Sequence, residues 1–335
     1  MPPLVSILIP AYNAEAWIAD TLKSIVGQTW PNKEIIVVDD GSKDATVAVA
    51  RQFESSVVKV VRQENRGPAV ARNHAYRLSQ GDYIQFIDAD DLLSPEKISE
   101  QIKVLRQSPP RMLGICGWVY FQDGTDPEKG LADEGWPAVD TDNPVAWLTE
   151  LLGPEGRFGM VPHGAWLTPR AVAEDAGGWD ERCSTDDDGE YFARVVLASA
   201  GLRRASAGRF YYRKHPTGGS WSSLPRNPKS EWSALFSLER KTEHLLARTS
   251  DLRARRALAN CFMHRAVAAY PQFPEIWRRA LQKAEELGGT DFVPPFATWQ
   301  ANLLRRLVGW KGARRAQVLY HRYRQRAAKV AAPSS

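Results

Sequence analysis

Ile84-Gln85-Phe86-Ile87-Asp88-Ala89-Asp90-Asp91 sets a short apolar run directly against three carboxylates in four positions. The run follows Gly81-Asp82 and reads as a buried strand over 82–87. Carboxylates crowded past a strand's carboxyl end need a counter-charge. Asp88 and Asp90 can aim hard oxygen ligands at one point, which suits Mg²⁺ or Mn²⁺ carrying a phosphate. The plainer use of such aspartates is a turn that caps the following helix. Ser94-Pro95-Glu96 already supplies that start, with Ser94 as N-cap and Pro95 at the first helical position.

Working outward, strand and helix signals alternate. Leu4 to Ile9 is β-rich and stops at Pro10, with Tyr12-Asn13 turning the chain. From Ala14 to Gln28, Trp17, Ile18, Leu22, Ile25 and Val26 recur at helical spacing. Glu34 to Val38 is a continuous apolar run, as in a strand covered on both faces, and it ends in Asp39-Asp40-Gly41-Ser42. Asp44 can cap a helix through Phe53, Val57 to Val61 gives a third strand, and Pro68 opens a third helix through Ser79. The alternation predicts an α/β, doubly wound, mostly parallel sheet. Ligands of such sheets sit beyond the carboxyl ends of the strands, here Pro10 to Asn13, Asp39-Asp40, Asn65 to Gly67 and Asp88 to Asp91. The first turn is neither a Gly-x-Gly-x-x-Gly nor a Walker loop, so a metal on the aspartates would have to neutralise a nucleotide's phosphates.

The next stretch predicts a helix over 94–106, an apolar run over 113–121, a loop over 122–143, a helix over 144–152 and a strand over 164–168. Gly177-Gly178-Trp179-Asp180 reads as a tight turn bearing an aromatic. Asp186-Asp187-Asp188 then opens a helix whose apolar face includes Phe192, Val195 and Val196. Acids cap helix starts, yet five between 181 and 190 exceed what capping needs. Tyr211 to His215 and a Gly/Ser-rich turn over 216–223 follow, and from Asn227 onward the pattern is helical.

Composition fits a globular protein of ordinary make-up: 43% hydrophobic and 25% charged over 335 residues. Cys116, Cys183 and Cys261 suggest neither a disulfide framework nor a zinc cluster, and a reducing cytoplasm suits them. The start of the chain lacks the marks of a signal peptide, and no apolar run reaches the roughly 18 residues of a spanning helix. The net charge is +5, and residues 301–335 hold nine Lys or Arg with no acid.

In this order, Pro10-Ala11-Tyr12-Asn13, Val38-Asp39-Asp40-Gly41-Ser42, Asn65-x-Gly67 with Ala71-Arg72-Asn73, Asp88-Ala89-Asp90-Asp91, Gly177-Gly178-Trp179-Asp180 and Asp187-Asp188 upstream of Arg194 resemble family 2 glycosyltransferases of the GT-A fold. The resemblance covers about residues 3–222. It implies a Rossmann-like GT-A domain over 1–224, with a nucleotide-binding half (1–93) and an acceptor and catalytic half (94–224), and the helical pattern beyond it marks a C-terminal region over 225–335. It implies donor-nucleotide contacts for Pro10, Tyr12, Asp39, Asp40, Arg72 and Asp88, and a sugar and acceptor loop at Gly178 and Trp179; His163 suits either a place facing the acceptor or that of a hydrogen-bonded core residue. A Mn²⁺ or Mg²⁺ site at Asp90, His215 and Asp88 is implied as well. Asp188, or Asp187 beside it, falls where the family keeps its catalytic base. The implied activity is metal-assisted, inverting transfer in polysaccharide biosynthesis, from a nucleotide-diphosphate sugar, UDP-type, to a saccharide or lipid-linked acceptor.

Other readings remain at this stage. A sugar-phosphate nucleotidyltransferase would use a related frame, and a non-catalytic carbohydrate-binding protein would need one acidic cluster rather than two. Over 303–329, apolar positions interleave with Arg and Lys, as in a helix lying on an anionic membrane surface. The expected location is cytoplasmic, with a peripheral seat at the inner face of the membrane open to it. A solvated helix packed on the body fits the same pattern. Nucleic acid is not an expected partner, because the charge is confined to one tail and no binding motif accompanies it.

Overall fold

The computed structural model describes residues 1–133, 139–215 and 227–331, with side chains through 320. Its first half alternates as the sequence predicts: β1 (Val5–Ala11), α1 (Ile18–Val26), β2 (Lys33–Asp39), α2 (Thr46–Arg51), β3 (Val58–Arg62), α3 (Pro68–Leu78) and β4 (Tyr83–Phe86). Next come β5 (Leu92–Leu93), α4 (Lys97–Arg106), β6 (Met112–Gln122), β7 (Leu131–Ala132), α5 (Pro144–Leu151), β8 (Trp166–Pro169), α6 (Arg170–Ala176), α7 (Asp187–Ala198) and β9 (Gly201–Lys214). The chain ends in helices: α8 (Pro228–Leu246), α9 (Leu252–Ala269), α10 (Pro274–Glu286) and α11 (Trp299–Ala331), the last broken at Gly309, whose φ of 71° and ψ of 170° are not helical.

The strands join in the order β3-β2-β1-β4-β8-β6-β9-β5, with β7 paired to β6. The first four run parallel. β8 is antiparallel to both β4 and β6, and β9 runs parallel to β6. This sheet with its helices is the expected α/β architecture. All seven residues of β1 are buried, because alternate side chains enter two cores. Leu8, Ile36, Val38 and Phe86 face Trp166, Tyr191 and Val195 on one side. Ile7, Ile9, Ile35 and Val37 face Ile18, Leu22, Ile25 and Ile98 on the other. Each such aliphatic side chain contributes about 1.5–3 kcal/mol on burial, so the parallel strands are a rigid base for the loops at their ends.

The C-terminal helices are built into this body. Ala254, Ala257 and Leu258 of α9 share the core of α7, while Leu235, Leu238, Phe262 and Ile276 form a further cluster among α8, α9 and α10. Arg253 adds ion pairs to Glu150 of α5 and to Glu155.

Several local expectations change. Ser94 does not cap α4, which begins at Lys97; its Oγ accepts the N–H of Arg209 at 2.8 Å. The cause lies one step earlier, where Leu92 and Leu93 pair with Tyr211 and Phe210 as β5 and draw Ser94 onto the neighbouring strand. The strand expected at 164–168 starts at Trp166, after a single 3₁₀ turn over His163–Ala165. Gly164 in that turn lies against the Phe210 ring, which a Cβ would strike. The expected loop over 122–143 contains β7, and its residues 134–138 lie outside the described ones. So do the turn over 216–223 and the 224/225 boundary.

Candidate active site

The loops at the carboxyl ends of β1 and β2 are tied together by their own polar side chains. Ser42 Oγ accepts the Asn13 N–H at 2.9 Å, and Asn13 Oδ1 accepts that of Lys43 at 2.9 Å. Pro10 pairs opposite Val38 at the end of β1, and Tyr12 beyond it is 41% exposed. Asp39 is buried. Its Oδ2 accepts the Ser42 N–H at 3.1 Å and lies 3.4 Å from Arg62, while its Oδ1 has no hydrogen-bond partner. Asp40 faces the next loop, accepting the N–H groups of Arg66 at 2.9 Å and Gly67 at 2.8 Å. A buried acceptor without a donor is costly, so Asp39 Oδ1 fits a ligand N–H or O–H.

Arg72, on α3, joins the two acidic clusters. Its guanidinium lies 2.8 Å from Asp88 Oδ1 and 2.7 Å from Asp187 Oδ2, across 115 positions of sequence in the second case. The same group rests 4.4 Å from the centroid of Trp179, which stacks on Tyr191 at 4.3 Å and is 3% exposed. Asn73 holds the Trp179 backbone in both directions, accepting its N–H at 2.8 Å and donating to its carbonyl at 2.9 Å. Arg194 donates to the Gly178 carbonyl at 2.9 Å and pairs with buried Glu190 at 2.7 Å. The loop 177–179 is therefore pinned from α3 and from α7.

At the first cluster, His163 Nε2 lies 3.3 Å from Asp88 Oδ1. Asp88, Asp91 and His163 each bring one potential ligand atom to within 4.8 Å of the others. Asp90 instead meets His215 Nε2 at 2.6 Å, and the His215 ring packs 4.4 Å from Trp17. Arg213 closes this side. It donates its N–H to Asp91 at 2.9 Å and its Nε–H to the Asp90 carbonyl at 2.6 Å, and pairs with Asp123 at 2.7 Å. Burial opposes ionisation of Asp88, but His163 and then Arg72 outweigh it and hold that carboxyl well below the usual range. Burial, then the charge of Asp88, raises Asp90, and burial with both neighbours raises Asp91 further. Carboxylates that favour a proton for these reasons would also be relieved by a hard cation, and the oxygen and imidazole donors suit Mn²⁺ or Mg²⁺.

At the second cluster the three aspartates diverge. Asp187 goes to Arg72, and Asp186 turns toward α8. Asp188 accepts the Gly189 N–H at 2.8 Å, and burial, then Asp187 and Asp186, push it up to about 6. Every expected site residue is thus located. Asp88, Arg72, His163, Trp179 and Asp187 meet directly, and Asp90 with His215 adjoins them. Sequence reasoning missed Arg213, Asp123 and Trp17 as neighbours of the metal side, and Lys241 of α8 behind the second cluster. Asn73 stood in a quoted motif without a role.

A family model described as glycosyl transferase family 2 matches residues 6–174. The chain belongs to glycosyl transferase family 2. Among its relatives, the putative teichuronic acid biosynthesis glycosyltransferase TuaG of Bacillus subtilis is 37% identical over 130 residues, 38% of this chain and 52% of TuaG. The putative glycosyltransferase EpsH of the same organism is 38% identical over 124 residues, 36% of each chain. The chain spans about half the length, or less, of the curated relatives it matches. Among solved structures, S. aureus TarS 1–349 in complex with UDP-GlcNAc superposes with a TM-score of 0.67 at 17% identity, over 95% of this chain and 91% of that one. At that identity the likeness concerns the fold, which is GT-A. The family match ends within α6, so the second acidic cluster of this family 2 member lies beyond it.

Replacing Arg72 tests the bridge. Arg72→Leu leaves two carboxylates facing each other without their cation, a change that typically costs about 3–5 kcal/mol when fully buried; with the Asp88 side chain 37% exposed, a loss of about 2–3 kcal/mol is expected. In the parent, the depressed Asp88 carboxyl adds stability above the usual carboxylate range and loses it as pH falls through its own. The gap between the two proteins in urea unfolding should therefore be widest near neutrality and close in acid. Equal stability at pH 7 would contradict the bridge.

Proposed function

We propose that this protein is an inverting glycosyltransferase that moves a sugar from a nucleotide-diphosphate sugar, UDP-type, to a hydroxyl of a saccharide or lipid-linked acceptor. The observation that carries the reading is Arg72 bound at once to Asp88 and Asp187, which turns both acidic clusters to one cleft. Likeness in fold to a TarS structure in complex with UDP-GlcNAc, and to a mannosyltransferase of Pyrobaculum calidifontis in complex with GDP-Man and Mn²⁺, favours a nucleotide-sugar donor. Relatives named for teichuronic acid biosynthesis favour a polymer-building role.

In this reading residues 1–93 bind the nucleotide, 94–224 the transferred sugar and acceptor, and 225–335 form a helical region. Asp39 receives the donor's base through its unpartnered Oδ1, Pro10, Tyr12 and Arg72 complete the base and ribose contacts, and Asp40 holds the Arg66-Gly67 loop in register. Asp88, Asp90 and His215 would hold the metal, with Asp91 and His163 alongside. When bound, such an ion supplies Lewis-acid relief of the charge on the departing diphosphate. Gly178 and Trp179 shape the sugar end through a backbone fixed by Asn73 and Arg194.

Asp188 is the general base. The acceptor hydroxyl attacks the anomeric carbon from the face opposite the diphosphate, its oxygen forms the new C–O bond, and the bond to the diphosphate breaks. The hydroxyl proton passes to Asp188, leaving a nucleoside diphosphate and a glycoside of inverted configuration. Asp188 suits this task better than Asp187, because Arg72 already occupies the latter at 2.7 Å.

The basic end adds a membrane surface to the proposal. The inner face of α11 packs Leu304, Trp310 and Ala313 against Met263, Val267 and Phe296. Outward, Trp299, Leu303, Leu307 and Val308 stand exposed with Arg306, while Lys311 and Arg315, past the break at Gly309, rest over the rings of Trp277 and Tyr270. Among the described residues no helix is long and apolar enough to cross a membrane. An exposed apolar stripe at the basic end of the chain suits an anionic bilayer surface, where a lipid-linked acceptor would be presented.

Two measurements test these readings. Asp188→Asn should lower kcat by about 10²–10⁴-fold while leaving UDP affinity unchanged. The parent's rate should fall about tenfold per unit below pH 6, because the base must be unprotonated; parental turnover in the variant would remove Asp188 from the role. For the membrane, the protein should float with vesicles containing phosphatidylglycerol and not with phosphatidylcholine alone. Leu303→Glu/Arg306→Glu/Leu307→Glu should abolish flotation, since it removes exposed apolar contacts and a cation that contributes about 1 kcal/mol, and equal flotation of variant and parent would refute it.

A further inference from the structure

The turn that delivers Asp188 is held from outside the sheet domain. Asp186 sits at the residue before α7 with φ 60° and ψ 30°, and its side chain caps nothing in that helix. Its carboxylate is turned to α8, where Oδ2 accepts from Lys241 Nζ at 2.6 Å and from Ser237 Oγ at 2.7 Å. Ser233 Oγ accepts the N–H groups of Ser184 at 2.7 Å and Thr185 at 3.0 Å. Ser233, Ser237 and Lys241 recur every four residues and so share one face of α8. All three are shielded from water, the Lys241 side chain at 13% exposure. The turn is closed so tightly that a Cβ on Gly189 would strike the Asp186 carboxylate.

Three adjacent carboxylates also need their charges separated. Arg72 neutralises Asp187 from α3, and Lys241 neutralises Asp186 from α8. Among the described residues Asp188 has no ion pair and accepts the N–H of Gly189, so it is the member of the trio left to take a proton. Capping accounts for none of this arrangement. A well-shielded lysine that spends its charge on a partly exposed carboxylate two residues ahead of the reacting one fixes the direction of the helix start and offsets the charge beside it.

We propose that Lys241 is a positioning residue of the transfer site: through Asp186 it fixes the turn that aims Asp188 and offsets the charge beside it, which makes α8 part of the active site rather than an appendage. The proposal rests on the reading of Asp188 as the base. The family match over 6–174 does not reach α8, so the role is read from this chain's own contacts.

The test compares Lys241→Met, Lys241→Arg and the double variant Asp186→Asn/Lys241→Met in the full chain. Lys241→Met should lower kcat by about 10- to 100-fold, the usual consequence of a slightly misdirected group, with UDP affinity within about twofold of the parent. Lys241→Arg should restore most of the rate, and the double variant, which leaves no charge of the pair without its partner and so folds even if Lys241→Met does not, should recover a part of it. Hydrogen exchange of the 184–190 amides should quicken about tenfold in Lys241→Met and stay slow in Lys241→Arg. This readout needs no activity, so it separates the hold on the turn from the assignment of Asp188, which Asp188→Asn tests on its own. Unchanged exchange, or unchanged kcat despite faster exchange, or no rescue by arginine would each overturn the proposal.

Discussion

The Arg72 guanidinium, 2.8 Å from Asp88 and 2.7 Å from Asp187, is the contact on which the cleft depends. Arginine suits the task because its planar fork carries a permanent charge and presents several donors in fixed directions. Stacking by Trp179 adds a cation–π attraction of about 0.5–2 kcal/mol and blocks water from one side. Trp179 is in turn fixed by Asn73, the residue after Arg72, so α3 supplies both the cation and the clamp on its aromatic partner. A displacement of α3 would move both acidic clusters at once.

A common principle runs around the rim: most of its carboxylates have a cation beside them, from another element except in the α7 pair of Glu190 and Arg194. Asp123 has Arg213, Glu190 has Arg194, Asp186 has Lys241, and Asp88 shares Arg72 with Asp187. Asp90 meets the imidazole of His215, and Asp91 is held by the Arg213 N–H. Asp188 has no ion pair among the described residues, and burial and its neighbours raise its proton affinity, as they do for Asp90 and Asp91. In this family 2 glycosyltransferase fold, the partners of the acids distinguish the two clusters more clearly than their spacing does. In the proposed reading the group at 88–91 does the metal and diphosphate work and Asp188 the proton transfer.

Much of this was legible in the chain. The parallel strands announced themselves because residues such as Ile35 to Val38 are buried on both faces and must be apolar throughout, and α1 and α3 followed from helical spacing and from Pro68 at a helix start. The rim residues could be named because strand ends are set by the same patterns. What could not be read was pairing over long separations. Leu92-Leu93 became a strand only through Tyr211 and Phe210, and that pairing took Ser94 away from the helix it seemed made to cap. His163 beside Asp88, and Lys241 behind Asp186, lie 75 and 55 positions from their partners, and no local period carries such information. Asp186 looked like a cap because acids favour helix starts, yet its left-handed backbone turns the carboxylate to another helix.

The most direct measurement is a crystal structure of the protein grown with UDP and Mn²⁺. If one cleft serves both acidic clusters, the uracil will lie against Asp39, and the diphosphate will lie between the Asp88–Asp91 group and the side of the cleft that holds Asp188. UDP bound on another face, or a diphosphate directed away from Asp188, would contradict it.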